Sequence, residues 1–222
     1  MKKTAILVSL ALILSLGLFT WITRTNLGTS RLKQPKPNSD ALTYLMDHPT
    51  GVSLDPLESD YSGNAIVIKH LVGTLVRYAN GGQFEPYLAK EWKSLDGGSE
   101  WTFSLQPNLH CEDGESITPT GYVNGLTKVL SLYKDQGAIP IISQLLGWNA
   151  FAAGGALSGV SVNSDGLISF KFQTPVGNGF LEYLSMPYYG YVCASNFDGP
   201  KWRSKFEIIS SGPYQLSGPI LD

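Results

Sequence analysis

Cysteine and histidine are scarce in this chain: among 222 residues there are two cysteines, Cys111 and Cys193, and three histidines, His48, His70 and His110. The histidines are scattered, so His110-Cys111-Glu112-Asp113 is the one local cluster of metal-type side chains. On a strand, neighbours point to opposite faces and at most half of such a cluster meets one ion, so no metal site is expected there. No Gly-x-Ser-x-Gly elbow occurs, and no paired-carboxylate or Cys-His arrangement stands out. The chain is therefore read as non-enzymatic, with no cofactor required. Charge is also sparse, at 15 % of residues, and acid is missing from the start: none precedes Asp40. Six of the 16 basic residues lie in that opening stretch. The body from Pro37 onward keeps 10 basic against 18 acidic residues, a net charge of -8. An acidic body excludes nucleic acid as a partner, which calls for a clustered basic surface.

What the chain has instead is apolar content, 43 % of residues, enough for a buried core. Its clearest local signal is a basic start, Lys2 and Lys3, followed by an uncharged apolar run over residues 5–22. As a helix this run spans roughly 27 Å, just short of a ~30 Å hydrocarbon core. Two readings of residues 1–24 stand, a cleaved signal peptide or an uncleaved membrane anchor. The length of the run and the lack of a small-x-small site near Trp21 and Arg24 favour the anchor. No cysteine follows the run to support lipoprotein processing. Both readings place the rest of the chain in the periplasm or at the cell surface, where disulfides form. Two thiols allow one pairing, Cys111 with Cys193; the alternative is two small buried hydrophobes.

Residues 25–40, with Pro35 and Pro37, read as a polar linker, and residues 41–46 as a first strand. Asn64 is placed to cap a helix over residues 65–73. A short strand over residues 75–78 follows. Two hairpins are expected, residues 88–94 with 100–105 around Asp96-Gly97, and residues 160–163 with 167–173 around Asp165-Gly166. In the second, Ile168, Phe170 and Phe172 alternate with Ser169 and Lys171, a one-sided sheet pattern. Thr118 with Pro119 opens a helix running to Tyr133. Residues 139–148 read as a second helix and residues 180–186 as a third, capped by Asn178. The order is mixed α and β, without the regular alternation of a doubly wound sheet.

Several motifs then fall in a meaningful order. Leu54-Asp55-Pro56 precedes a helix and Leu75-Val76-Arg77-Tyr78. Next come Pro86-Tyr87-Leu88-Ala89 with Trp92, Asp96-Gly97 with Trp101-Thr102-Phe103-Ser104-Leu105, Asp113-Gly114 with Thr118, and Gly212-Pro213-Tyr214-Gln215-Leu216. Together they resemble the extracellular family 5 solute-binding proteins, the peptide- and nickel-binding group that serves ABC importers, over residues 41–216. The resemblance implies a two-lobed, periplasmic-binding-protein-like type II fold of mixed α and β, with a subdomain inserted in the first lobe. It implies binding of a small solute or oligopeptide and delivery to an ABC permease. Gln106 and Cys111 depart from the family's arginine and aromatic at those places.

Residues 41–222 are accordingly expected to form the N-terminal lobe, with the second lobe missing. A truncated or split gene, or a partner chain that supplies the lobe, would account for that. An exposed apolar patch is expected where the second lobe would sit, with weak solute binding by this chain alone. In the resembled family, the loop after "LDP" and the segment after the helix near Phe180 face the ligand cleft. These correspond to residues 57–64 and 186–191. The site residues expected from them are Asp60, Tyr61, Tyr188 and Tyr189, a carboxylate for a ligand's donors and tyrosines for its body. Asp60 is also a candidate cap for the following helix. A membrane-anchored receptor or interaction module with the same fold is the alternative function, one that would use the linker.

Overall fold

A computed structural model describes residues 53–55, 63–134 and 141–217, all within one compact unit, Tyr44–Asp222. The apolar run, the linker, the expected first strand, Asp60 and Tyr61 lie outside the described residues.

The centre of the fold is a four-stranded antiparallel sheet in the order β3-β4-β6-β5. Its strands are β3 (Ala89–Leu95), β4 (Glu100–Leu105), β5 (Val160–Val162) and β6 (Ile168–Lys171). Before it comes a small hairpin, β1 (Val76–Tyr78) with β2 (Phe84–Pro86), and after it another, β7 (Phe197–Asp198) with β8 (Lys201–Trp202). The β3–β4 turn needs left-handed backbone, and Asp96, Gly97 and Gly98 supply it with φ of 48°, 69° and 104°. Register follows the pleat. Trp101 faces Phe170, which faces Val160, and Phe103 faces Ile168. All five are buried. On the other face Thr102 and Ser169 are opposite one another and also buried. The Ser169 hydroxyl donates to the Glu100 carboxylate at 2.8 Å, which satisfies it there. The sheet is therefore less one-sided than its alternation implies.

Among the described residues there are four α-helices: α1 (Gly63–Leu71), α2 (Pro119–Tyr133), α3 (Trp148–Ala152) and α4 (Gly179–Leu184). The start of α2 is as the sequence specifies. Pro119 occupies its first turn, and the Thr118 hydroxyl accepts the Gly121 amide at 3.0 Å. Helix α2 packs on β5 and β6. Three elements differ from expectation. Asn64 is buried inside α1 rather than capping it. Asn178 precedes α4 but makes no side-chain cap, because its backbone is already helical. The helix expected over residues 139–148 does not extend through its described part. There the end of β6 recruits the chain as a partner: Leu145 bridges Phe172, the Leu146 amide donates to the Lys171 carbonyl at 2.9 Å, and Gly147 turns left-handed. Only Ile142–Gln144, a 3-10 turn, and α3 are helical in this stretch.

Two apolar clusters result. The large one holds the sheet's inner face, α2 and α4, with Phe180 at its heart. The smaller joins Leu54, Ile68, Leu71, Val72 and Ile208. Gly190 stands between α1 and the segment after α4. A Cβ there would meet Val72 Cγ1 at 2.4 Å and the Gly73 carbonyl oxygen at 2.8 Å. Gly190→Ala is thus expected to cost about 1–3 kcal/mol by overpacking. Urea unfolding measures it, and an unchanged midpoint would show that the two segments separate freely. Among the described residues, the exposed large hydrophobics Ile66, Tyr78, Leu95, Leu146, Phe206 and Tyr214 sit on six different stretches of chain.

Candidate ligand-binding cleft

Residues 109–117 form a tight hairpin. The Ile117 amide donates to the Leu109 carbonyl, the Cys111 amide to the Glu115 carbonyl, and Gly114 turns with φ 89°. The His110–Asp113 cluster therefore lies on a turn, not on a continuous strand. Its tip is fastened at four places. Cys111 is joined to Cys193 by a disulfide, with Cα atoms 6.2 Å apart. Glu112 exchanges two bonds with Ser210: its amide donates to the Ser210 carbonyl at 2.8 Å, and its carboxylate accepts the Ser210 amide at 3.0 Å. Asp113 accepts the Ser195 hydroxyl. Glu115 accepts the Tyr191 hydroxyl at 2.9 Å and the Ala194 amide at 2.7 Å.

The segment opposite is knotted to α1. The Leu71 carbonyl takes the amides of Ser211 and Gly212, each at 3.0 Å, and the Ser210 hydroxyl at 2.8 Å. The Ser211 hydroxyl accepts the Gly73 amide and donates to the Tyr191 carbonyl. This knot orders the Gly-Pro-Tyr motif without a strand: among the described residues, none follows Gly212. Tyr214 projects from it, 42 % exposed, its ring edge-on to His70 at 5.6 Å. Between the hairpin tip and this segment lies an open cleft of about 190 Å³, walled by residues 110–112 on one side and by Ser210 and residues 212–215 on the other.

Electrostatics support a fixed frame rather than a reactive one. The Ser195 hydroxyl and the Glu115 amide hold the Asp113 carboxyl below its usual range, against slight desolvation. Burial pushes the Tyr191 phenol up, and the Glu115 carboxylate it donates to pushes the same way. Burial also raises the phenols of Tyr122 and Tyr189. All three tyrosines stay neutral at physiological pH. Cys111, Asp113 and Glu115 bring three ligand-type atoms within 4.8 Å. The sulfur is already bonded to Cys193 and both carboxylates accept protein hydrogen bonds, so the group is structural.

The expected site residues divide. Tyr188 is half-buried, its ring 6.5 Å from that of Tyr189. Tyr189 is 2 % exposed and does not line a surface. The 3-10 turn Pro187–Tyr189 swings its ring against Tyr183, and its carbonyl takes the Tyr122 hydroxyl at 2.6 Å. The segment itself does lie against α1, through the Tyr191 amide on the Gly73 carbonyl at 2.8 Å. Sequence reading missed Glu112, Ser210 and Tyr214 as neighbours. In the sequence, Glu112 reads only as part of the metal-type cluster His110–Asp113, and Tyr214 only as part of the Gly-Pro-Tyr motif.

The mixed sheet-and-helix architecture is that of a type II substrate-binding lobe, the class found in binding proteins of ABC importers. Residues 83–218 match the family described as bacterial extracellular solute-binding proteins, family 5, middle part, and the chain belongs to that family. A structure of a periplasmic oligopeptide-binding protein from Borrelia burgdorferi superposes with a TM-score of 0.66 at 21 % identity, covering 76 % of this chain and 35 % of that one. NikA from Brucella suis, solved with Fe(III)-EDTA, gives 0.59 at 21 %, covering 76 % and 32 %. A probable deoxycholate-binding periplasmic protein of Escherichia coli K12 is 32 % identical over 79 residues, 36 % of this chain and 15 % of that protein. The chain thus spans about a third of the length of these solved structures. Among the described residues no helix is long and apolar enough to cross a membrane.

Proposed function

We propose that this chain captures a solute outside the cytoplasmic membrane for an ABC-type importer, and that the solute is a short peptide. The observation that carries the reading is a family-5 fold in which His110, Glu112, the exposed Tyr214 and Gln215 line an open cleft. Peptides offer the matching chemistry, since backbone amides pair with Gln215 and Glu112 and side chains pack on Tyr214. Asp60 and Tyr61, in the loop before α1, and Tyr188 are proposed as further contacts. A cleft of about 190 Å³, open on one side, buries little of a peptide. Pockets that bind tightly are larger, roughly 300–1,000 Å³, and enclose most of the ligand. Calorimetric titration of the chain with tri- and tetrapeptides is expected to give a Kd between about 10 µM and 1 mM. Tyr214→Ala should weaken it further. Deoxycholate binding with no response to peptides would overturn the peptide assignment. Sub-micromolar peptide binding would show that one face suffices.

Residues 5–22 are proposed to direct export, cleaved or retained as an anchor, with the linker 25–40 as tether. Fractionation is expected to recover the protein outside the cytosol. An N-terminus near residue 25 would decide for cleavage, and intact protein in the cytosol would refute export.

A further inference from the structure

One wall of the cleft is held by a covalent tie, the Cys111–Cys193 disulfide. Within residues 110–116, Cys111 is the single buried side chain, and every other residue is exposed or half-buried. Apart from the disulfide, the tip is held by the Glu112 amide on the Ser210 carbonyl and by hydrogen bonds from Ser195, Ser210, Tyr191 and Ala194 to its carboxylates. Their carboxylate partners, Glu112, Asp113 and Glu115, are open to water to differing degrees, so each bond is a modest restraint. The two sulfurs are not equivalent. Cys111 lines the cleft and is 5 % exposed, whereas Cys193 is 0 % exposed.

We infer that the cleft is under thiol control through Cys111. This rests on the cleft being the ligand site. The co-reactant is a dithiol, the chemical class of protein and small-molecule disulfide reductants. Its thiolate enters by the cleft and attacks the Cys111 sulfur. A sulfur–sulfur bond forms between the reductant and Cys111, the Cys111–Cys193 bond breaks, and Cys193 leaves as a thiolate that takes up a proton. The reductant's second thiol then displaces Cys111. The products are two protein thiols and one oxidised reductant, so two electrons and two protons are transferred to the protein. The freed tip lifts away from Ser210 and Ala194, and the cleft loses the wall formed by residues 110–112. A solute in the cleft closes the approach to Cys111, so occupancy and reduction oppose each other.

Two measurements on the full chain test this, and neither uses the solute. First, the oxidised protein is treated with glutathione, quenched with an alkylating agent and mapped by peptide mass spectrometry. The mixed disulfide is expected on Cys111; an adduct on Cys193 overturns the proposal. Second, amide hydrogen exchange is compared before and after dithiothreitol. The amides of Ala194 and Ser210 are expected to exchange about tenfold faster or more, equivalent to ~1.4 kcal/mol of local opening, while those of Thr102 and Ser169 in the sheet hold. Unchanged exchange at Ala194 and Ser210 overturns the proposal. So does equal acceleration in the sheet, which would mean that reduction unfolds the molecule as a whole. A failed peptide titration leaves both readouts interpretable and counts only against the ligand assignment.

Discussion

Replacing Phe180 by Ala is expected to lower the stability of the folded chain by about 3–5 kcal/mol. The side chain is 0 % exposed on α4 and sits where the sheet's inner face converges. Its ring lies edge-on to those of Trp101, Phe103, Phe170 and Phe172, at centroid distances of 5.9, 6.4, 5.1 and 4.9 Å. Truncation removes the transfer energy of the ring and leaves a cavity that four large, interlocked neighbours cannot close. Edge-on aromatic contacts are lost as well. Phe180→Leu keeps part of the volume and should cost clearly less. Denaturant unfolding followed by tryptophan fluorescence measures both, since Trp101 reports on the same site. A cost below ~1 kcal/mol for Phe180→Ala would mean that α4 is not the keystone of this core.

A comparable loss is expected when Cys111 and Cys193 are both replaced by Ala. The crosslink closes a loop with a sequence separation of 82. Chain-entropy arguments assign such a loop about 4.5 kcal/mol, gained because the unfolded chain is denied its more open conformations. The core around Phe180 does not depend on the crosslink, so the double variant is expected to fold, with its hairpin tip loosened and its unfolding midpoint shifted well down. Equal midpoints for the oxidised parent and the double variant would show that the unfolded ensemble is already restricted around residues 111–193.

Much of the frame was legible because its causes are local. An Asp-Gly pair between two alternating runs dictates a hairpin wherever it occurs, and both expected hairpins are strands of the central sheet. Thr118 and Pro119 name the start of α2 by capping chemistry alone. The errors came from distant partners. Nothing near Leu145 announces that Phe172 will hold it in a bridge and end a helix before it forms. Tyr189, beside Tyr188 and before Gly190, looked like a surface loop. The Tyr122 hydroxyl, 67 positions away, instead pins its carbonyl and carries the ring inward. The cleft was the least visible part, because Glu112 meets Ser210 only after the chain has travelled 98 residues. A turn motif reveals that the chain bends there, not what the bend will face.

The tie between Gly73 and Ser211 joins positions 138 apart, and that distance has a meaning in time. Ribosomes add about 5–20 residues per second, so α1 leaves the ribosome on the order of ten seconds before its closing partner exists. Throughout that interval the Leu71 carbonyl lacks all three donors it holds in the finished fold, and Ile68 and Leu71 lack Ile208. The β3–β4 and β5–β6 hairpins suffer no such delay, since each forms from neighbouring sequence. Separation along the chain thus favours formation of the two hairpins before α1 is locked. Ser210 and Ser211 are what complete the end of α1, and a chain that stops short of them lacks every donor the Leu71 carbonyl holds in this fold.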